Sequence, residues 1–99
     1  VNFAADQSAF RGAFNRILSS TVPPSGVIAA SGGNHGMAVA FAARALGLRA
    51  EIFVPEIASP VKIERLRALG AVVHVVGREY AEALEAQTAR QRETGALEV

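Results

Sequence analysis

The ten-residue stretch VIAASGGNHG, residues 27–36, gives the clearest indication of the fold of this chain. It starts as a short apolar run and continues into a loop of serine, glycine and asparagine. Glycine allows positive φ angles and lets a backbone approach a ligand closely. A long run of helix formers follows the loop, so the stretch predicts a strand, a tight turn and a helix.

The same alternation of strand and helix continues outward from this stretch. Short apolar or β-branched runs bounded by glycine or proline favour strands, and the longer segments between them favour helices that stop at glycine. The predicted strands cover residues 27–30, 51–54, 72–76 and 96–99. The predicted helices cover residues 8–20, 34–46, 60–69 and 78–94, the first with an apolar stripe at helical spacing.

This order of elements predicts an α/β fold, with a three-layer, doubly wound parallel sheet of about four strands. Strands that are apolar almost throughout are typical of sheets covered on both faces. We expect the strand order 3-2-1-4, with the switch point at the carboxyl end of the first strand. The 99 residues are enough for a single domain, residues 1–99.

Two of the predicted helices differ sharply in character. The helix at residues 34–46 is apolar almost all round, which predicts burial on most sides and possible self-association through any face left open. The helix at residues 78–94 consists mostly of alanine, charged and amide residues, so we expect it to lie outside.

Composition excludes several classes of function. Half of the residues are apolar (51%), the formal net charge is +1, and cysteine is absent. These values favour a globular, cytoplasmic protein and give no indication of nucleic-acid or membrane binding. A spanning helix needs an apolar run of about 20 residues, and the sequence has none. Two distant histidines without cysteine give little support to a metal site.

The loop at residues 31–36 carries the predicted chemistry. Successive N–H groups at a helix N-terminus favour an anion, and Ser31 and Asn34 add directional hydrogen bonds. One alternative is a tight turn with Asn34 as N-cap and no ligand. Another is a dinucleotide site, in which Ser31 stands at the first glycine position and Glu56 binds a ribose.

The loop also resembles the asparagine loop of fold-type II pyridoxal-phosphate enzymes. The nearest members are the serine/threonine dehydratases, with serine racemase close by. Other segments resemble the stretch after that family's Schiff-base lysine, its second strand and its third helix. These segments are residues 11–15, 53–55, 59–63 and 69–71. The resemblance covers about residues 10–99, as the small domain of a two-domain enzyme.

The resemblance implies a role for each matching loop residue. Ser31, Gly32, Asn34 and His35 would hold the substrate's α-carboxylate, largely through backbone N–H groups and the Ser31 hydroxyl. Asn34 would also hydrogen-bond the cofactor's phenolic oxygen. The implied reaction is β-elimination of water from serine or threonine, in which the cofactor stabilises a carbanion. The sequence does not choose between serine and threonine, because that selectivity lies largely in the second domain.

The pattern breaks where the family carries its catalytic lysine. Ala9 occupies that position, and a methyl group forms no Schiff base. Lys62, the single lysine, is expected to be an ordinary surface residue. Residues 1–8 do not resemble the family, which indicates an altered N-terminus, and the domain with the phosphate site is missing. We therefore expect no catalytic residue, no activity in the isolated chain and no bound pyridoxal phosphate. A purely structural domain without a ligand is the remaining alternative.

Simple structural roles are expected for most other notable residues. His74 is predicted to be a strand residue near an edge, and the side chain of His35 is not expected to act in the loop. Tyr80 and Leu84 are expected to anchor the last helix as an i, i+4 pair. The phenylalanines are expected in the core: Phe3, Phe10, Phe14, Phe41 and Phe53. The arginines expected on solvated faces are Arg65, Arg67, Arg78, Arg90 and Arg92.

Overall fold

A computed structural model describes the backbone of residues 3–31 and 33–99, and side chains from residue 9 onward except at residue 32. Within these residues, strands and helices alternate after a leading helix. The helices are α1 (Phe3–Leu18), α2 (Asn34–Leu46), α3 (Pro60–Ala68) and α4 (Tyr80–Thr94). The strands are β1 (Val27–Ala30), β2 (Ala50–Val54), β3 (Val72–Val75) and β4 (Leu97–Glu98).

The four strands form one parallel sheet in the order β3-β2-β1-β4, which confirms the predicted order. Val27 lies opposite Ala50 in β2 and opposite Leu97 in β4. The chain moves outward from β1 to β3 and then returns across the sheet to β4. The carboxyl end of β1 is therefore the switch point of the sheet.

Alternate residues of β1 face opposite layers, and this sets up two cores. Val27 and Ala29 pack with α1, α2 and α3 on one face of the sheet. Ile28 and Ala30 pack with α4 on the other face. The predicted three-layer, doubly wound α/β architecture is confirmed.

The burial of β3 differs from the sequence-based expectation. Its apolar run predicts a strand covered on both faces, but Val72 and Val75 are exposed, because β3 is the edge strand of the sheet. β-branched residues suit a strand whether it is central or at an edge, so residue type alone does not separate the two positions. His74 lies in β3, so the expectation of a histidine in a strand near an edge is confirmed.

The leading helix begins at Phe3, five residues before the predicted start, and ends at Leu18. The added N-terminal turns contain no glycine or proline that would break a helix. At the other end, the hydroxyls of Ser19 and Ser20 both donate to the carbonyl oxygen of Arg16. Serine competes for backbone groups in this way, which explains why the helix stops before residue 20.

Helix α4 begins at Tyr80, two residues after the predicted start, and its N-cap residue is Glu79. The Arg78 N–H donates to Glu82 Oε1 at 3.2 Å, one helical turn back along the chain. The expected Tyr80–Leu84 anchor is wrong for Tyr80, which is 47% exposed. Ala83 and Gln87 are fully buried instead, so α4 lies outside the sheet as expected but buries one face against it.

Helix α2 is covered by the sheet on one side and by α1 on another. Its buried residues are Gly36, Ala38, Val39, Ala40, Ala42 and Ala43. Phe41 was expected in the core but is 46% exposed, and its ring contacts Phe10 and Phe14 edge-on. The side chain of Phe3 lies outside the described residues. In the part of the chain that the structure describes, no helix has the length and apolar character needed to cross a membrane.

Candidate functional site

The loop after β1 lies at the switch point predicted for it. Its first residue extends the sheet, since the Ser31 N–H donates to the Phe53 carbonyl oxygen at 2.9 Å. Helix α2 begins three residues later at Asn34, with its N-terminus at the carboxyl edge of the sheet. The first N–H groups of a helix lack intrahelical partners, so this edge presents hydrogen-bond donors.

The Ser31 side chain is buried and shapes the loop. Its hydroxyl accepts hydrogen bonds from the N–H groups of Gly36 (2.8 Å) and Gly33 (3.1 Å) and donates to the Gly33 carbonyl oxygen (2.9 Å). A hydroxyl offers one donor and two acceptor positions, and all are used here. The structure thus gives Ser31 a role in ordering the turn, while its contact with a carboxylate stays a prediction.

Gly36 is the glycine whose missing side chain the loop requires. A Cβ atom at this position would lie 2.8 Å from Ser31 Cβ, 3.0 Å from Ser31 Oγ and 3.1 Å from Ile52 Cγ2. These distances are shorter than ordinary van der Waals contact. Glycine at residue 36 therefore allows the start of α2 to sit directly on Ser31 and on β2.

The other predicted site residues lie at or beside the helix start. The N-cap is Gly33, so the expected N-cap role of Asn34 is wrong, and Asn34 is the first residue of α2. A turn without a ligand stays an alternative. Asn34 and His35 are both exposed at the sheet edge. His35 Nε2 lies 3.0 Å from the carbonyl oxygen of Val99, just beyond β4. Gly32, the fourth predicted residue, lies outside the described residues.

Ala9 lies within α1, half-buried against the first core. A methyl group has no amine to form a covalent bond with an aldehyde cofactor and none to move a proton at the substrate. The residues of this chain therefore do not fit pyridoxal phosphate as a covalently held cofactor. The loop places backbone N–H groups at the start of α2, and their binding of a carboxylate stays a prediction.

Lys62 was expected to be an ordinary surface residue, and the structure places its ammonium group beside the loop. It is the third residue of α3 and is half-buried. A Cβ atom at Gly33 would lie 4.0 Å from Lys62 Nζ, so the ammonium group is a neighbour of the loop. Its position follows from the parallel topology, which brings the ends of β1 and β2, and the helices after them, to one edge of the sheet.

Sequence reasoning missed a buried ionic cluster on the face of the sheet that α4 covers. Glu51 Oε1 lies 2.9 Å from His74 Nε2 and accepts a hydrogen bond from Arg90 Nε at 3.1 Å. Only 2% of the Glu51 side chain is exposed. Arg90 is thus not simply part of a solvated face, and His74 also stacks on Phe53 with 4.4 Å between ring centres.

The charge state of this cluster follows from its contacts. Burial acts to raise the pKa of the Glu51 carboxyl, but hydrogen bonds and charges from His74 and Arg90 outweigh it and hold the pKa below its ordinary value. Glu51 is therefore ionised in the folded protein at neutral pH. One signal in the sequence pointed to the cluster: a glutamate inside an apolar strand predicted to be buried, which requires a charged partner.

The dinucleotide alternative gains no support from Glu56. That side chain is exposed, and its backbone N–H donates to the Gly77 carbonyl oxygen. Among the described residues, no hydrogen bond joins Glu56 to residues 31–36. A ribose-binding acid in a dinucleotide site lies close to its phosphate loop.

A parallel sheet with a helix N-terminus at its switch point defines a class of α/β domains that bind small anionic ligands at the sheet edge. Comparison with known proteins specifies the class further. Residues 9–98 match the model of a family described as pyridoxal-phosphate dependent enzymes. The chain belongs to this family, which confirms the resemblance found in the sequence.

Individual relatives support the same assignment. An L-threonine ammonia-lyase of Thermotoga maritima is 45% identical over 89 residues, which is 88% of this chain and 22% of the relative. Maize serine racemase has a TM-score of 0.84 at 32% identity over 92% of this chain and 28% of its own. Threonine deaminase isoform 2 from Solanum lycopersicum gives 0.84 at 32% identity, over 92% and 27%. The chain thus spans about a quarter of these proteins.

Proposed function

We propose that this chain is the substrate-binding small domain of a pyridoxal-phosphate-dependent serine/threonine dehydratase. In this proposal, backbone N–H groups of Gly32, Asn34 and His35, in the loop at residues 31–36, bind the α-carboxylate of a small hydroxy-amino acid. The observation that carries the proposal is the use of the Ser31 hydroxyl inside the loop, which fixes the start of α2 at the sheet edge. Preorganised donors lose little entropy when an anion binds.

The loop residues have distinct parts in the proposed site. Gly32, Asn34 and His35 contribute backbone donors around the carboxylate, and Ser31 holds the turn that aims them. Asn34 also faces the cofactor's phenolic oxygen when the complete enzyme is assembled. The chain has no acidic residue in the first turn of α2, so the field of the helix N-terminus is not cancelled by a local charge.

The parent reaction in this proposal is loss of water and then ammonia from serine or threonine. Relatives named L-threonine ammonia-lyase support this substrate class. The cofactor supplies the electron sink for the carbanion. The contribution of this domain is orientation: it holds the carboxylate so that the rest of the amino acid points to the reacting centre.

The isolated chain is proposed to be catalytically silent and to hold no pyridoxal phosphate. Ala9 supports this, because it lies at the lysine position without an amine. The missing large domain, which carries the phosphate site in this proposal, is the partner required for activity. A cytoplasmic location stays a prediction. Self-association through α2 also stays a prediction, and the side chains of α2 that could contact a second copy are the exposed Phe41 and Leu46.

Parallel titrations of the labelled chain with L-serine, pyridoxal phosphate and NAD, followed by amide chemical shifts, test the proposal. L-serine is expected to shift the amides of Gly33, His35 and Gly36 saturably. Shifts caused by NAD that extend to Glu56 would favour a dinucleotide site instead. If none of the three ligands changed the amide chemical shifts, the chain would be a structural domain without a ligand, and the proposal would be contradicted.

A further inference from the structure

Among the described residues, the ammonium group of Lys62 has no anionic partner. Ion pairs within 4.0 Å occur at Glu51, Glu64 and Glu93, and none of them includes Lys62. No other hydrogen bond or charge contact of Lys62 occurs among the described residues. A half-buried ammonium usually gains a partner, because burial removes part of its hydration.

The surroundings of Lys62 are positive rather than negative. It is the third residue of α3, where the helix dipole disfavours a cation, and the first turn of α3 contains no acidic residue. It lines a small crevice with Ser31, Gly33 and Met37, beside the N-terminus of α2. Two helix N-termini and one ammonium group thus converge on the same edge of the sheet.

We propose that Lys62 is a further binding residue of this site and supplies the full positive charge that holds the ligand's carboxylate at the loop. The proposal rests on the proposed function, since it names the charge partner for the same carboxylate. Backbone donors at a helix start carry only partial charge, whereas an ammonium group adds a full charge that reaches several ångströms. A bound carboxylate would relieve the concentration of positive potential that the fold creates here.

The assignment gives Lys62 a role that the loop residues do not have. The backbone donors fix the direction of the carboxylate, and Lys62 sets the strength and the salt dependence of its binding. Because the ammonium lies near Gly33 and not at residue 9, it acts on the carboxylate and is not a replacement for the missing catalytic lysine. Arg65, one turn further along α3, is exposed and lines a separate groove beside Phe10 and Phe41.

The test compares the wild-type chain with Lys62→Met, Lys62→Arg and the matched control Arg65→Met. Methionine keeps the unbranched apolar stem and removes the charge, and the control removes one charge from the same helix. Each protein is titrated with L-serine and, separately, with acetate, and dissociation constants are taken from the amide shifts of Gly33, His35 and Gly36. We expect Lys62→Met to weaken both ligands about tenfold, with Arg65→Met near wild type and Lys62→Arg largely retaining affinity.

Each outcome decides between the two proposals. Equal affinity of wild type and Lys62→Met for acetate would overturn the role of Lys62, even if L-serine binds the loop. Binding of acetate without L-serine would overturn the proposed amino-acid site, and the Lys62 assignment would then stand or fall on the acetate series alone. Failure of both ligands to bind the wild type would overturn both. A Lys62→Arg protein as weak as Lys62→Met would also contradict a role based on charge.

Discussion

Ser31 and Gly36 together determine the shape of the loop. The serine hydroxyl reaches the Gly36 N–H at 2.8 Å, and this distance is possible only because residue 36 has no side chain. The sequence predicted a glycine-rich loop with a ligand-binding serine. It did not reveal that the serine hydroxyl also orders the loop and the start of α2, because that role depends on three-dimensional contacts with residues 33 and 36.

Gly36→Ala is expected to lower the free energy of unfolding by about 2 kcal/mol. The added methyl group would push Ser31 and Ile52 apart, and this cost exceeds the gain of about 1 kcal/mol from the better helix propensity of alanine. Urea denaturation measures the difference.

The matched control for this substitution is Gly12→Ala in α1. Residue 12 is exposed, and a Cβ atom there would have no neighbour within 4 Å. Here the propensity gain acts alone, so stability should rise by about 1 kcal/mol. If both alanine variants were stabilised, the close packing of α2 on Ser31 would be wrong.

Glu51 is expected to make stability depend on pH in the acid range. Because the pKa of its carboxyl is lowered in the folded chain, the stabilisation is complete above the unfolded-state pKa. It is lost as pH falls through the lower, folded-state pKa. Glu51→Gln should cost about 2 kcal/mol at pH 7 and little at the acid end of the range. Urea titrations between neutral and acid pH give the profile.

Glu64→Gln is the control for the acid-range measurement, because Glu64 is 74% exposed and forms an ion pair with Arg67 on its own helix. An exposed pair of this kind contributes little to stability. The profile of Glu64→Gln should therefore follow the wild type. A Glu51→Gln protein with the same pH slope as the wild type would show that the cluster does not link pH to folding.

At the scale of elements, the contact between α1 and α2 depends on three aromatic rings. The ring of Phe41 lies 5.1 Å from that of Phe10 and 6.3 Å from that of Phe14, both at steep angles. These contacts place the exposed side of α2 partly under α1. The apolar circumference of α2 is thus largely explained within the domain.

Phe41→Ala is expected to destabilise the chain by about 2 kcal/mol, since it removes two edge-on ring contacts and apolar burial. Phe41→Leu keeps apolar volume but not the ring edges, and should cost about 1 kcal/mol. Thermal unfolding of both variants checks the order. If the alanine variant were as stable as the wild type, Phe41 would belong to an open surface and not to the α1–α2 contact.

The order of elements was predictable because its signals are local. Gly47 ends α2 with φ at 70°, and Pro60 opens α3 at its first turn, as the sequence indicated. The exact helix ends were harder to predict, since α4 begins two residues after the predicted start and α1 begins five residues before it. The Glu51 cluster joins residues 23 and 39 positions apart, so no local pattern specified its partners.

At the scale of the whole molecule, the chain spans about a quarter of the length of the relatives it matches. The loop, the helix N-terminus and Lys62 lie on one edge of the sheet, while residue 9 offers no amine. The proposed division of labour follows: this domain binds the carboxylate, and the absent part of the enzyme carries the cofactor phosphate.

Addition of pyridoxal phosphate to the isolated chain is expected to give no stoichiometric absorbance band that survives dialysis. The physical reason is the alanine at residue 9, which leaves the cofactor without a covalent attachment in the site. Lys62→Arg controls for nonspecific adducts at the single lysine, since arginine forms none of this kind. A one-to-one band that persists after dialysis would contradict the proposed division.

The most direct test of a carboxylate site at residues 31–36 compares the binding of L-serine and L-serinamide to the unmodified chain. The two ligands differ at the carboxylate, which is replaced by a neutral amide in the second. We predict that L-serine shifts the amides of Gly33, His35 and Gly36 saturably, and that L-serinamide binds at least about tenfold more weakly because the charge-assisted contacts are lost. Equal shifts by the two ligands, or saturable shifts located elsewhere in the chain, would contradict a carboxylate site at this loop.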